Sequence, residues 1–466
     1  MNKNVQTLIV GAVVSLLAGC MSLSPSVPEA QPNVAAQWPT GTWAELAADV
    51  PDAGPIRSDA GWREFFTDIK LSGLISQALE NNRDLRVSVL NVEKARALYR
   101  VQRADRLPLL QVTGVGERTG GDAPVSQAYS VGLGVASFEL DLFGRVRELS
   151  AAALLRYLAQ EETQSSVQLS LVAEVANAYL TLVADRERLG IAKSTLATQE
   201  KSYDLAVRRH ALGNASALEL NQARTQLEAA RAEEAQYTGQ VERDLNALTL
   251  LVGHPVNLDG LAVELNAVTV NSLKLPEGAP SDILLRRPDI VAAEHQMRAA
   301  NANIGAARAA YFPSISLTGS VGTASTSLSD LFESGSRAWS FAPKVSLPIF
   351  QAGRLDANLA GATADRDIAL AAYEKAIQSG FRETADALAS LAVLGRQRQA
   401  QQALVEAATR TYDLSQARYS AGRDSYLTQL DAQRTLYAAQ QGLIGVRQAE
   451  LANRVTLYKV VGGGSQ

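Results

Sequence analysis

The chain has 466 residues, 47% of them hydrophobic, enough for one large core or two ordinary ones, and its 44 basic and 48 acidic side chains leave a formal net charge of -4. No basic block interrupts the sequence, so the electrostatic footprint of a nucleic-acid binder is missing and no nucleic-acid partner is expected. Only three histidines occur, His210, His254 and His295, far apart and with no cysteine beside them, which argues against a transition-metal site; no cofactor is expected.

The first elements lie at the N-terminus. Lys3 supplies a positive start, Leu8 to Leu17 form an apolar stretch too short to span a bilayer, and the segment closes in Leu17-Ala18-Gly19-Cys20, which predicts a signal peptide over residues 1–19. That closing tetrapeptide resembles the lipobox of bacterial lipoproteins. Cys20 is the only cysteine, so its thiol has no intramolecular partner and suits lipid acceptance. The resemblance implies cleavage before Cys20 and acylation of that residue. Met21 stands where an Asp would favour inner-membrane retention, so the outer membrane is the expected destination. Each buried methylene would hold the chain there by about 0.8 kcal/mol.

Residues 20–60 read as an extended, lipid-anchored strap, with Pro25, Pro28, Pro32, Pro39, Pro51 and Pro55 and no sustained apolar period. Beyond it no stretch approaches eighteen consecutive apolar residues, so the sequence predicts no transmembrane helix in the mature chain. Any membrane crossing must therefore be made by strands.

An internal repeat organises the remainder. Tyr203-Asp204-Leu205 recurs 209 positions later as Tyr412-Asp413-Leu414, and Gly213, Ser216 and Leu251-Val252-Gly253 recur at the same offset as Gly422, Ser425 and Val460-Val461-Gly462. Upstream, with small slips, Leu107-Pro108 and Thr113-Gly114 match Phe312-Pro313 and Thr318-Gly319, while Gly144-Arg145 matches Gly353-Arg354. The first repeat covers 61–265, with a helix, a β-hairpin at about 107–142 and long helices at 145–212 and 216–252. The second covers 266–466, with a helix at 282–310, a hairpin at about 313–348 and long helices at 354–420 and 425–461.

In the second hairpin Ile315, Leu317 and Val321 alternate with small polar residues, and Trp339, Phe341, Pro343, Val345 and Leu347 do so on the return. The first hairpin is a weaker copy, with Val131, Leu133 and Val135 alternating with Gly and Ser. Such strands fit a transmembrane barrel, and a half-exposed sheet of a soluble β-domain would show the same alternation. Phe138, Phe143, Tyr311, Phe312, Trp339 and Phe350 near the strand ends fit an interfacial aromatic belt or ordinary packing.

Each hairpin is followed by a long Ala-, Gln- and Arg-rich helix. Residues 145–212 hold no Pro and one Gly, roughly 100 Å of helix at about 1.5 Å per residue, which must pack lengthwise against a partner. The shorter helices carry seams with coiled-coil spacing: Leu220, Ala223, Leu227, Ala230, Tyr237 and Val241, then Ala432, Leu436, Ala439, Leu443 and Val446. Between long and short helix the chain turns at Gly213 and Gly422, and Ser216 with Glu219 reads as a capping box; in the second copy Ser425 persists while Thr428 replaces Glu219. The Arg287-Pro288-Asp289 run reads as helix initiation rather than catalysis.

Four strands per chain cannot close a barrel, since the smallest outer-membrane barrels use eight. Two chains would give a barrel filled by its own side chains, and three would give twelve strands around water. A conduit favours three.

The strings Arg286-Arg287-Pro288-Asp289-Ile290, Ala299-Ala300-Asn301-Ala302-Asn303-Ile304-Gly305-Ala306-Ala307-Arg308 and Tyr426-Leu427-Thr428-Gln429-Leu430-Asp431-Ala432-Gln433-Arg434 resemble the outer-membrane efflux lipoproteins of the TolC superfamily, of the OprM and NodT type, over essentially the whole chain. The resemblance implies a mainly α fold with a β-barrel part: a trimeric channel whose shared 12-stranded barrel takes four strands per chain and whose long helices form a periplasmic α-barrel. It implies a passive exit duct for drugs and other small molecules, not an enzyme. The implied partners are two further copies, a periplasmic adaptor (membrane fusion) protein, an inner-membrane resistance-nodulation-division (RND) pump and outer-membrane lipid. By the same resemblance Leu427 and Asp431 form a periplasmic gate, and the hairpin tips at Gly213, Ser216, Gly422 and Ser425 meet the adaptor. Some distant relatives carry a second acid at the position of Thr428 and a basic tether at that of Asp424, so a second acidic ring is not implied here. A duct for type I protein secretion and a non-pore, lipid-anchored coiled-coil protein are the competing expectations.

Overall fold

The computed structural model describes residues 22–35, 61–122, 124–271 and 281–463. Cys20 and the signal segment lie outside the described residues, as does the strap beyond residue 35. In chain order the elements are α1 (Trp62–Phe65), α2 (Ile69–Asn81), α3 (Arg83–Ala104), β1 (Leu110–Thr119), β2 (Ser126–Leu140), α4 (Arg145–Ala211), α5 (Ala217–Val252), α6 (Pro288–Ala309), β3 (Ser314–Ser325), β4 (Arg337–Ser346), α7 (Arg354–Ser420) and α8 (Tyr426–Val460). Short 3-10 turns cover Leu265–Ala267 and Ser281–Arg286. The chain divides into two units. One comprises Met1–Pro32, Leu90–Thr163 and Val291–Ala376; the other Asn33–Val89, Gln164–Ile290 and Ile377–Gln466.

The first unit holds the sheet. Its four strands are antiparallel in the order β1-β2-β3-β4, so β1 and β4 are free edges. The β2–β3 pairing joins the two repeats, and it shifts register between Val135 and Phe138, where Ser137 has a left-handed φ of 54°. At the centre Gly132 faces Gly322. A β-carbon on Gly132 would lie 3.0 Å from the Val321 carbonyl oxygen, and one on Gly322 would collide with that of Val131, so only glycine permits this close approach. The strap as far as Pro32 belongs to the same unit. The Ser22 and Ser24 hydroxyls donate to the two Glu148 oxygens at 2.7 and 2.8 Å, and Asn301 and Arg308 donate to the Pro25 and Leu23 carbonyls.

The second unit is helical. Its core gathers Leu71, Ile75, Tyr179, Leu182 and Leu248, all fully buried, and the stacked pair Phe65 and Tyr458 with ring centroids 4.5 Å apart. The seams form as their spacing directs: Ala223, Leu227, Ala230 and Val241 are buried along α5, and Ala432, Ala439 and Leu443 along α8. Arg287 is also buried. It pairs with Asp289 and Glu383, both at 2.8 Å, and donates to the Val460 carbonyl, which joins the start of α6 to α7 and α8. The Arg-Pro-Asp run therefore has a packing role.

Helix α4 bears on the expected lack of a transmembrane helix. Although no long unbroken apolar run exists, α4 contains an 18-residue window of mean hydropathy 1.4, long and apolar enough to cross a membrane by composition alone. Of that window 56% is buried within the protein, and Leu171–Ala184 supplies much of the second unit's core. The helix is apolar because neighbours cover it on several sides.

Candidate functional site

Two features carry functional chemistry, one in each unit. In the sheet, the register aligns residues of like polarity across all four strands. Val112, Leu133, Val321 and Trp339 form one row, 74%, 47%, 49% and 77% exposed respectively. Leu110, Val135, Gly319 and Phe341 form the next row on the same face. The opposite face shows Gln111, Gly134, Ser320 and Ser340, with the two serine hydroxyls 2.7 Å apart, and then Thr113, Gly132, Gly322 and Ala338. Alternation along a strand becomes, through register, one apolar and one small-polar face. Exposed apolar rows of this extent do not belong in water. The aromatic candidates divide: Phe143 stacks on Phe312 at 4.7 Å and Tyr311 donates to Asp356, whereas Trp339 and Phe350 stand exposed.

In the helical unit the two tips follow the same backbone path. Gly213 adopts φ +76° and Gly422 φ +68°, the left-handed region that ends a helix. The amides of Gly213 and Asn214 donate to His210 and Arg209 carbonyls, and those of Gly422 and Arg423 donate to Tyr419 and Arg418, the paired bonds of a Schellman turn. Ser216 then caps α5 by accepting from the Glu219 amide at 3.1 Å, and Ser425 caps α8 by accepting from the Thr428 amide at 3.3 Å.

The capping box is only half formed. The Glu219 carboxylate does not turn back to its own helix start; it accepts from the Tyr419 hydroxyl at 2.8 Å. Arg209 donates to that hydroxyl at 2.8 Å, lies 3.6 Å from Glu219, and sets its guanidinium 5.3 Å from the Tyr419 ring centroid. The Tyr419 hydroxyl of the other hairpin, with Arg209 of Glu219's own hairpin close by, outcompetes a backbone amide that water can serve. Beneath this link Ala206, Ala223, Tyr426 and Leu430 are buried together, flanked by Tyr203 and Leu220. Burial and the Glu219 carboxylate push the Tyr419 hydroxyl up to about 12. The sequence reading missed Arg209 and Tyr419 and gave Glu219 the wrong partner. A signal was present: beside the matched glycines, the repeat replaces His210 by Tyr419 and Glu219 by Thr428.

Leu427 and Asp431 lie on the first two turns of α8, four residues apart on one face; both are exposed, Leu427 by 59%. Within the single chain they join none of the contacts that fasten the hairpins. Asp424 is bound instead to Arg418 of its own tip at 2.7 and 2.8 Å. Cys20 lies outside the described residues.

An antiparallel sheet with one apolar face and two open edges, joined to paired long helices, defines a subunit of an outer-membrane channel. The chain matches the family described as "Outer membrane efflux protein" over residues 74–254 and 279–463. It is 46% identical over 472 aligned positions to the antibiotic efflux pump outer membrane protein ArpC of Pseudomonas putida, covering 100% of this chain and 96% of that one. Identity and coverage are the same with the toluene efflux pump outer membrane protein TtgC, also of P. putida. The open state of the Neisseria gonorrhoeae MtrE outer membrane channel superposes with a TM-score of 0.86 at 38% identity, over 96% of this chain and 99% of that one. The chain belongs to the outer membrane efflux protein family: it is a mainly α channel protein of the TolC type with a β part, resides in the outer membrane, and serves efflux as a duct rather than an enzyme. The relatives are efflux proteins, which sets aside the secretion and non-pore expectations.

Proposed function

We propose that three copies of this chain close a twelve-stranded barrel and, with their long helices, a periplasmic tunnel. This duct passively releases drugs and other small molecules delivered by an inner-membrane RND pump through a periplasmic adaptor. The observation that carries the reading is the four-strand sheet with free edges at β1 and β4 and a continuous apolar face. Unpaired edges cost several kcal/mol per polar group in hydrocarbon, so the sheet needs neighbours on both sides. Val87, Leu90, Leu98 and Val101, exposed along α3, give a second apolar surface for a neighbouring copy to cover. Relatives named for antibiotic and toluene efflux support small, partly apolar cargo.

In this reading Leu427 and Asp431 line the periplasmic end of the tunnel, three of each around one axis: the leucines resist wetting and the carboxylates attract cations. The tips at Gly213, Ser216, Gly422 and Ser425 are the surface offered to the adaptor, and acylated Cys20 fastens the strap to outer-membrane lipid. The test joins two measurements: the mass of the detergent-extracted protein with its conductance in planar bilayers, and the drug susceptibility and polypeptide export of a strain lacking it. A trimer that conducts, with raised susceptibility and intact polypeptide export, is expected. A monomer without conductance, or loss of polypeptide export alone, would overturn the proposal.

A further inference from the structure

Asp185 on α4 and Asp244 on α5 are both buried, 6% and 9% exposed. Their surroundings are unequal. Arg188 binds Asp185 at 2.5 Å and also donates to Gln448 of α8 at 3.2 Å, so its charge is directed to Asp185 and α8. For Asp244, Gln240 donates to Oδ1 at 2.9 Å, and Oδ2, wholly shielded from water, has no donor among the described residues. The group it meets instead is the Asp185 carboxyl. Arg243, the nearest basic residue on α5, directs its guanidinium to Gln240. Tyr237 of α5, which also feels Arg188 and Asp185, gives its hydroxyl to Gln441 of α8. Close by, Glu187 of α4 is paired with Arg447 of α8 at 3.6 Å.

Two ionised carboxylates cannot share such a contact, because each has only lone pairs to offer and burial removes the water that would screen them. One hydrogen ion between them satisfies the orphaned oxygen and cancels the second charge. We propose that Asp185 and Asp244 form a binding site for a single proton, shared between the two helices of the first hairpin, and that its occupancy sets how tightly α4 and α5 hold each other. Burial first, and then contact with Asp185, push Asp244 up to about 6. Set against its ordinary value of 3.8, that is proton binding tightened roughly a hundredfold. The site then fills and empties across mildly acidic pH.

The sign follows from linkage. The native pair binds the proton more tightly than the unfolded chain, so stability is greatest below the ordinary carboxylate range and falls as pH rises through about 6. Above that the site is empty and the dependence levels off. The test uses the full-length protein in detergent. Infrared difference spectra between pH 5 and pH 7.5 should show the carbonyl band of a protonated carboxylic acid that titrates near pH 6, and Asp244→Asn should abolish it. In the same variant, whose amide mimics the protonated acid, the unfolding midpoint should lose its fall between these two pH values and stay near the wild-type value at pH 5. Asp185→Asn serves as the second variant and should move the band to lower pH without abolishing it, since the contact with Asp185 is gone while burial still raises Asp244. A wild-type spectrum without a band titrating between pH 5 and 7.5, or a variant that keeps the wild-type pH dependence of unfolding, would overturn the proposal. None of these readings depends on the gate or on trimer formation.

Discussion

At the first tip Arg209 crosses to Tyr419 and Glu219, whereas its counterpart 209 positions later, Arg418, turns back onto Asp424 of its own tip. Both tips keep the left-handed glycine, the Schellman bonds and the capping serine. A duplicated hairpin thus retains what the backbone requires of the turn, since any replacement there meets the same steric objection in both copies. Side chains that point away from the turn are under no such constraint, and they have taken on separate tasks. The first tip supplies the carboxylate that fastens the two hairpins together; the second presents Leu427 and Asp431 without fastening them.

The sharpest way to break this comparison is to exchange equivalent positions. Replacing Leu427 by Ala together with Asp431 by Asn should raise the leak conductance of the purified protein in planar bilayers severalfold, because the proposed gate would lose both its dewetting and its charged side chains. The first-tip counterparts at the same offset are Leu218 and Gln222. Replacing both of these by Ala should leave conductance at the wild-type level. Equal leak from the two double variants would mean that the division of labour is wrong and the gate lies elsewhere.

Next in size come the turns, where the tips should behave alike. Gly213→Val and Gly422→Val each force a β-branched residue into the left-handed region, at about 1–2 kcal/mol. The unfolding midpoint should fall by a similar amount for both, and by more for the two combined. A much larger loss at one tip would show that its turn is held by contacts its partner lacks.

How far these features were legible depended on the range over which their cause acts. The turns are local: a Gly followed three residues later by Ser states the backbone requirement directly, so Gly213, Ser216, Gly422 and Ser425 stood out in the sequence. The mainly α class with paired hairpins was equally visible, because alternation and helical period repeat at one offset. The Tyr419–Glu219 link spans 200 positions and joins different repeats, so no periodicity contains it. The rows across the sheet needed the β2–β3 register, with its shift after Val135, before apolar residues of four strands could be seen to align. In α4 the apolar character is spread along the helix rather than continuous. Its apolar residues are interrupted by Asn177 and by Thr181, whose hydroxyl donates to the Asn177 carbonyl and accepts from Gln448 of α8, so the window is apolar on average without any unbroken run.

A smaller effect is expected at the link itself. Tyr419→Phe removes the hydroxyl that Arg209 donates to and Glu219 accepts from, and should lower stability by about 1 kcal/mol while leaving the fold intact. The pH dependence gives a cleaner signature. Because the folded hydroxyl is held up to about 12, above the ordinary tyrosine value of 10.0, its contribution is fully present below pH 10 and is lost as pH rises toward 12. The difference in unfolding midpoint between wild type and Tyr419→Phe should therefore shrink across that interval. A constant difference would mean that the hydroxyl does not hold its proton against Glu219.

The second tip's own ion pair should matter least. Arg418 donates two hydrogen bonds to Asp424 and holds its carboxyl below the usual range, a local electrostatic effect on groups in open solvent. Exposed pairs gain little over hydration and are screened by salt. The folded carboxyl is the stronger acid, so the pair's contribution is present above the ordinary carboxylate range and disappears as pH falls below it. Asp424→Asn should then leave the unfolding midpoint within error of wild type at neutral pH and moderate salt, although Arg418→Ala should return the Asp424 titration toward its ordinary 3.8. The contrast with Tyr419→Phe is the informative quantity. Two hydrogen-bonded charges within one exposed tip tune a titration, whereas one hydroxyl between two hairpins, partly shielded by Tyr426 and Leu430, adds measurably to the stability of their contact. A large loss of stability from Asp424→Asn would mean that the second tip is fastened after all, through a contact that forms only in the assembled duct.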